Sequence, residues 1–299
     1  MRKILHSLWR GIIFPFRLLW RLLTSPLKLV IRIHHFLTDE PEDRSLTDAF
    51  ADTLSQPASI FEHIDALRKH LFRMLIALAV GVAISATFTT EIIAFLARPI
   101  GGIDFLQAIE VTETVGVFMR VALLGGFTIA IPYLAFELWL FTAPGLRARA
   151  RRIGLVSLPL ALLFFISGIA FAYVFMLPVA LPFLINFMGI QTIPRIASYI
   201  NFVTGLLFWI GISFEYPLVI YILSLMGVVK PGMLARQWRV AMVAIAVLAA
   251  VITPTVDPVN MALVMAPMIV LYFFSIGLSY LALLGRKRRA SGQSAGGDS

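Results

Sequence analysis

The 299-residue chain contains no cysteine, and charged side chains make up only 14% of it. The lack of cysteine excludes disulfides, thiolate metal sites and a cysteine nucleophile. A soluble domain has about 25% charged residues, whereas 60% of this chain is hydrophobic. The composition therefore predicts an integral membrane protein with several spans. Its net charge of +9 lies mainly in the chain ends and short connectors, which does not indicate a nucleic-acid partner.

The sequence also lacks the common signatures of enzymes. It contains no GxxxxGK[ST] or HExxH segment, so P-loop ATPase and zinc-protease motifs are absent. Its GxSxG match, Gly292–Gly296, falls in the Ser/Gly-rich end of the chain. None of the histidines falls inside a predicted span, and they are His6, His34, His35, His63 and His70. We therefore predict that the protein is not an enzyme and has no metal or cofactor.

The first 37 residues contain no acidic side chain. Basic residues recur on one helical face, at Arg10, Arg17, Arg21, Lys28 and Arg32. This pattern predicts a basic amphipathic helix region over residues 1–37 that lies on anionic lipids. A processed targeting segment and an interaction arm are the alternatives. Residues 38–58 are acidic and lack a clear period, which predicts a flexible linker.

Apolar segments predict an all-α membrane domain over residues 59–285. Six spans are predicted, over residues 72–96, 115–141, 153–187, 202–226, 240–252 and 259–284. The first continues from an amphipathic helix whose start carries a capping-box pattern, Ser59 with Glu62. Basic residues concentrate in every second connector and in the tail 286–299, so both termini are predicted to be cytoplasmic.

Prolines recur within or beside the predicted spans, at Pro132, Pro159, Pro178, Pro182, Pro217 and Pro267. Proline removes a backbone donor and bends a helix, so these positions favour kinked spans around a concave cavity.

Glu215 lies near the middle of the span 202–226, two residues before Pro217. A charged side chain at that depth costs at least ~2.5 kcal/mol. Two interpretations are open: a hydrogen-bonded carboxyl that ties helices together, or a carboxyl in a wet cavity that binds a polar group or relays a proton. Thr253, Pro254 and Asp257 between the last two spans indicate turn chemistry first and a functional role second.

These segments, in order, resemble the TatC family, the core polytopic subunit of the twin-arginine protein translocase, over residues 59–287. The lead-in helix and first cytoplasmic loop match at His63, Leu67, Arg68, Leu71, Phe141, Pro144, Gly145 and Leu146. The spans and their connectors match at Glu113, Arg120, Phe165, Gly168, Phe171, Tyr173, Pro178, Tyr199, Gly211, Phe214, Glu215, Pro217, Thr253, Pro254, Asp257, Pro267, Leu271 and Tyr272.

The resemblance implies a multi-pass protein of the bacterial inner membrane that recognises signal peptides with paired arginines at the cytoplasmic face. It further implies small single-span TatA/TatB-like partners, a homo-oligomer within a larger complex, and export of folded proteins driven by the proton-motive force. The implied signal-peptide residues are His63, Asp65, Leu67, Arg68, Phe141, Pro144 and Leu146. Glu215 and Phe214 are the implied contact for a partner helix.

The chain departs from the family at three glutamate positions, which are Ala66, Ala150 and Phe273. The first two acids are expected to pair with signal-peptide arginines. Our hypothesis is that Asp65, Glu62 and Glu137 take over this role. The alternative is a TatC-like paralogue with altered cargo recognition.

Two other classes of function compete with the translocase. A secondary transporter or channel would use Glu215 as its coupling site, and it predicts an internal repeat that the sequence does not contain. A lipid-binding scaffold without a transport role is suggested by the basic N-terminal region alone.

Overall fold

A computed structural model describes residues 57–145, 148–186, 193–253 and 258–295. The predicted N-terminal helix region 1–37 and nearly all of the linker 38–58 lie outside the described residues. The helices, in chain order, are α1 Pro57–Ala86, α2 Thr89–Leu96, α3 Glu113–Thr142, α4 Ala148–Phe171, α5 Leu177–Ile185, α6 Ile196–Met226, α7 Pro231–Arg236, α8 Trp238–Ile252 and α9 Pro258–Ala295.

The fold is that of a helical membrane protein. Within the described ranges, five segments are long and apolar enough to cross a bilayer, and they are Ile64–Ala86, Glu113–Thr142, Arg151–Ile185, Ile196–Leu225 and Pro258–Leu284. The fifth predicted span corresponds to α8, which has only 15 residues. Such a helix is about 22 Å long, shorter than the hydrocarbon core of about 30 Å.

The first predicted span, 72–96, is divided differently in the structure. The lead-in helix and the span form one continuous helix that ends at Ala86, and α2 is a separate helix. Short hydroxyl side chains satisfy backbone carbonyls at the break: Thr87 Oγ1 donates to Ile84 O at 2.7 Å and Thr89 Oγ1 to Ser85 O at 2.9 Å. Hydropathy alone does not register such a break, because the residues on both sides are apolar.

The third predicted span, 153–187, is interrupted by a π-helical segment. Residues Ala172–Met176 join α4 to α5 in this form. Pro178 lies two residues after this segment. Because proline has no N–H to donate to the preceding turn, the hydrogen-bond register changes locally.

Small residues hold the helix pairs together. A Cβ atom added to Gly126 of α3 would lie 2.5 Å from the Cα of Val82 on α1, and one on Gly81 would lie 2.5 Å from the carbonyl oxygen of Gly126. Between α4 and α6, a Cβ on Gly168 would lie 2.8 Å from the Cα of Gly211. In lipid, where apolar helices gain little from leaving the solvent, such close backbone packing is a main source of association.

Helix α6 lies at the centre of the bundle, where it contacts α3, α4 and α9. One of its faces is buried, at Ile200, Val203, Leu207 and Ile210. Helices α3 and α6 begin side by side, since Arg195 pairs with Glu113, and they therefore end at the same side of the bundle. We call the side where they begin the Arg195 face and the side where they end the Glu137 face.

Candidate functional site

A buried carboxylate organises the Glu137 face. Glu137 of α3 is only 2% exposed. Its Oε2 lies 2.5 Å from His70 Nδ1 and 3.8 Å from the guanidinium of Arg73, both on α1. Tyr133, one turn earlier on α3, donates its hydroxyl to Oε1 at 2.7 Å. A buried charge is tolerated when it is paired and hydrogen-bonded in this way, and here the partners join α1 to α3.

The connector after α3 folds back onto this cluster. The Phe141 ring meets the imidazole of His70 edge-on, with 5.9 Å between centroids. Trp139 Nε1 donates to the carbonyl of Arg151 at 3.1 Å, and Arg151 Nε donates to the carbonyl of Ala143 at 3.1 Å. Arg151 is 5% exposed, so this buried arginine holds the connector in place through hydrogen bonds.

The structure brings five of the seven predicted signal-peptide residues to one side of the bundle. Asp65, Leu67 and Arg68 are exposed near the beginning of α1, and Pro144 is exposed and Phe141 half-buried at the end of α3. His63 lies in α1, but its side chain is outside the described part, as is Leu146.

Sequence reasoning missed His70, Arg73 and Tyr133. Their common partner is Glu137, which lies on α3, whereas His70 and Arg73 lie on α1.

Of the three acids proposed as replacements for the missing glutamates, the side chain of Glu62 lies outside the described part, and the other two differ in access. The side chain of Asp65 is 55% exposed and lies 2.6 Å from Lys69, whereas that of Glu137 is 3% exposed. An incoming guanidinium could reach Asp65 by displacing the exposed Lys69, whereas at Glu137 it would have to enter a buried site and displace His70. The geometry therefore favours Asp65 over Glu137 as the accessible acid.

A second charged cluster ties the connectors at the Arg195 face. Arg195 Nε donates to Glu113 Oε1, and Nη2 donates to Glu110 Oε1 at 2.7 Å. The backbone N–H of Ile109 donates to Glu113 Oε2 at 3.1 Å. These two carboxylates raise the pKa of Arg195 above its ordinary value. Gln107 completes the link, because its N–H donates to the carbonyl of Pro194.

Two tyrosines attach α2 to the rest of the bundle. The hydroxyl of Tyr173 donates to the carbonyl of Phe95 and that of Tyr199 to the carbonyl of Leu96, each at 2.8 Å. These carbonyls belong to the last turn of α2, which has no intrahelical donors left for them. The two tyrosines therefore serve as hydrogen-bond donors that fix the end of α2.

Glu215 on α6 has a different environment from Glu137. Its Oε1 is buried and has no hydrogen-bond partner within the described ranges. The backbone of Phe165 on α4 lies beside the carboxyl, and the ring of Phe214 packs 5.6 Å from that of Phe171. A buried polar atom without a partner is rare in folded proteins, so this oxygen is a candidate point for a further polar contact.

The turn before the last span is described only in part. Thr253 is 8% exposed and its hydroxyl donates to the carbonyl of Ala249 at 2.8 Å, which closes the end of α8. Pro254 and Asp257 lie outside the described residues. Within the described ranges, no group of three or more His, Asp or Glu side chains is arranged to hold a metal ion.

Comparison with known proteins gives consistent matches. The family model "Sec-independent protein translocase protein (TatC)" matches residues 62–267. The Sec-independent protein translocase protein TatC of Deinococcus radiodurans is 34% identical over 248 residues, which cover 80% of this chain and 91% of that protein. The TatC protein of Koribacter versatilis is 33% identical over 264 residues, covering 84% and 97%.

A solved structure is also similar. The crystal structure of a twin-arginine translocase receptor, TatC, superposes with a TM-score of 0.65 at 32% sequence identity. The match covers 74% of this chain and 99% of that one. The similarity therefore extends over the whole of the known receptor fold.

Proposed function

The chain belongs to the TatC family of Sec-independent protein translocase proteins, and we infer from this membership that it is the receptor component of a twin-arginine translocase. It recognises signal peptides with paired arginines and takes part in exporting folded proteins. The observation that carries this function is the family match over residues 62–267. The beginning of α1 and the end of α3, which meet at the Glu137 face, form the recognition surface.

Asp65 is the acid that we assign to the signal-peptide arginines. Its exposed carboxylate can accept charge-assisted hydrogen bonds from a guanidinium, once Lys69 moves aside. Leu67 is 44% and Leu71 60% exposed on the same helix, which offers an apolar surface for the hydrophobic part of a signal peptide. Asp65 is one residue from Ala66, so its carboxylate is turned by about 100° from the family position.

Glu137 has a positioning role in this proposal. By holding His70 and Arg73 of α1 against Tyr133 of α3, the buried carboxylate keeps the lead-in helix beside the connector after α3. A signal peptide would then meet a preformed surface, which lowers the ordering cost of binding.

The partners and the arrangement in the membrane follow from the same proposal. The Glu137 face is cytoplasmic, and both termini lie there. The short helix α8 is the fifth of six spans in a proline-kinked bundle in the bacterial inner membrane. Glu215 and Phe214 contact a single-span TatA/TatB-like partner helix. The chain forms a homo-oligomer within the complex, is not an enzyme, and depends on the proton-motive force.

The terminal regions complete the proposed domain plan. Residues 1–37 lie on anionic lipids as a basic amphipathic region, and residues 38–58 link it to the membrane domain 59–285. The basic and then Ser/Gly-rich composition of residues 286–299 marks the cytoplasmic end of the chain in this plan, and α9 continues into it as far as Ala295.

Asp65→Asn tests the recognition surface. In cells that lack their own family member, we expect this change to slow export of a folded reporter with a paired-arginine signal, because an arginine contact worth about 1.5–3 kcal/mol is lost. Cross-linking of the signal peptide to residues 141–150 should fall in parallel. Asp104→Asn removes an equally exposed acid outside the proposed surface and should export normally.

Undiminished export by Asp65→Asn and also by Glu62→Ala would refute this account of recognition. A reporter whose signal peptide carries paired lysines distinguishes a receptor that is selective for paired arginines from a TatC-like paralogue with altered cargo recognition. If the unmodified protein exports both reporters equally well, the chain has altered cargo recognition, and the selectivity for paired arginines is wrong.

A further inference from the structure

A cleft of about 970 Å³ opens beside the end of α6. Because α6 begins at the Arg195 face, its other end lies at the Glu137 face, where α7 follows. The last turns of the membrane segment of α9 form the opposite wall. The side chains on which the argument depends are Lys230, Met233, Arg236, Gln237, Tyr280 and Leu283.

Specific contacts hold the walls of the cleft. The hydroxyls of Ser224 on α6 and Ser279 on α9 are 2.7 Å apart. Tyr272 of α9 donates its hydroxyl to the carbonyl of Leu234 on α7 at 2.6 Å. Gly227, with φ of 83°, provides the left-handed turn that ends α6. The cleft is therefore a fixed feature of the packing of α6, α7 and α9.

The lining combines positive charge with apolar surface. Lys230 and Arg236 are exposed, no acidic side chain lines the cleft, and neither cation has an ion-pair partner in the part of the chain that the structure describes. Tyr280 and Gln237 add neutral donors, and Met233 and Leu283 add apolar wall. Lysine and arginine bind phosphate oxygens well, and the apolar walls fit hydrocarbon.

We propose that this cleft binds the phosphate of an anionic membrane phospholipid. Lys230 and Arg236 contact the phosphate, and Met233 and Leu283 contact the upper part of an acyl chain. The cleft lies where two membrane-crossing helices meet the headgroup level, because the segment Pro258–Leu284 ends beside it. Basic pockets between membrane helices are known to select anionic headgroups. A free phosphate ion would make no use of the apolar wall.

The test is a lipid titration of the full-length purified protein by native mass spectrometry in detergent. With phosphatidylglycerol as the probe, Lys230→Gln/Arg236→Gln should lower the affinity about tenfold or more, since each cation near a lipid headgroup contributes on the order of 1 kcal/mol. Arg98→Gln/Arg120→Gln removes the same charge outside the cleft and should keep the affinity of the unmodified protein. Thermal unfolding without added lipid checks that each variant is folded.

Two further probes identify the ligand. Phosphatidylcholine with the same acyl chains should bind more weakly than phosphatidylglycerol, because its headgroup has no net charge. Inorganic phosphate should not displace the bound lipid. The proposal is overturned if both double variants lose affinity equally, if neither does, if the two lipids bind alike, or if inorganic phosphate at the lipid's own concentration displaces it.

Discussion

Glu137 and Glu215 are two carboxyl groups inside the helical bundle with opposite surroundings. Glu137 is paired with His70 and Arg73 and accepts a hydrogen bond from Tyr133, whereas Oε1 of Glu215 has no partner among the described residues. A fully satisfied polar network stabilises one arrangement of a core. An unsatisfied buried acceptor is costly and is explained if another molecule supplies the donor. The contrast supports the proposed positioning role of Glu137 and the proposed partner-contact role of Glu215.

Replacing Glu215 should separate partner assembly from signal binding. We expect Glu215→Ala to reduce the amount of single-span partner that co-purifies, since a lost hydrogen bond to a buried group costs about 1–3 kcal/mol. Glu215→Gln keeps the size and hydrogen-bonding capacity of the side chain and should retain most of the partner. Signal-peptide cross-linking to residues 141–150 should be normal in both variants. A loss of cross-linking with normal partner recovery would reverse these roles.

At the scale of helices, the pair α1 and α3 illustrates how this membrane fold is held. Gly81 and Gly126 let the two backbones approach closely, and Ser85 fills the space beside Gly125. The ion pairs of Glu137 then tie the same two helices at one end. Backbone packing along the interface and charge pairing at its end therefore orient α1, which carries the proposed recognition surface.

Two glycines of α3 provide a matched test of this packing. In Gly126→Ala the new Cβ would lie 2.5 Å from the backbone of Val82, so we expect a loss of about 1–3 kcal/mol from overpacking. In Gly116→Ala the Cβ meets nothing within 4 Å, and the better helix propensity of alanine should stabilise by roughly 0.5–1 kcal/mol. Thermal unfolding in detergent measures both. Equal stability of the two variants would contradict close packing at Gly126.

For the whole molecule, the two faces have different chemistry. The Arg195 face joins its connectors through acidic side chains and one arginine, while the Glu137 face carries the connector arginines and the basic cleft at Lys230. Cytoplasmic connectors are enriched in lysine and arginine. The distribution of charge therefore supports the proposed cytoplasmic orientation of the Glu137 face.

The absence of native cysteine makes this orientation directly testable. Asp104→Cys and Ala235→Cys place single thiols at exposed positions of the two faces. In intact cells, a maleimide that does not cross the inner membrane should label position 104 and should leave position 235 unlabelled until the membrane is opened. The reverse pattern would show that the Glu137 face is external. Labelling of both after lysis is the control for access.

The helical class and most span positions could be predicted because hydropathy and proline are local properties. The continuous lead-in helix, the span in α6 and the short α8 agree with the sequence-based prediction. The break after Ala86 and the π-helical segment could not be predicted, since they depend on hydroxyls and a proline that also occur inside regular membrane helices. The same limit applies to the recognition surface, whose residues come from α1 and from the end of α3.

Composition, charge distribution and the order of the family-like residues were sufficient to establish a helical membrane protein of the TatC family, because each is a property of the linear sequence. The pairing between distant helices could not be read from the linear sequence. The contacts of Glu137 with His70, of Glu113 with Arg195 and of Gly126 with Val82 join residues at least 44 positions apart. Only the packing of the helices decided which acid is buried, which is accessible, and that one oxygen of Glu215 has no partner among the described residues.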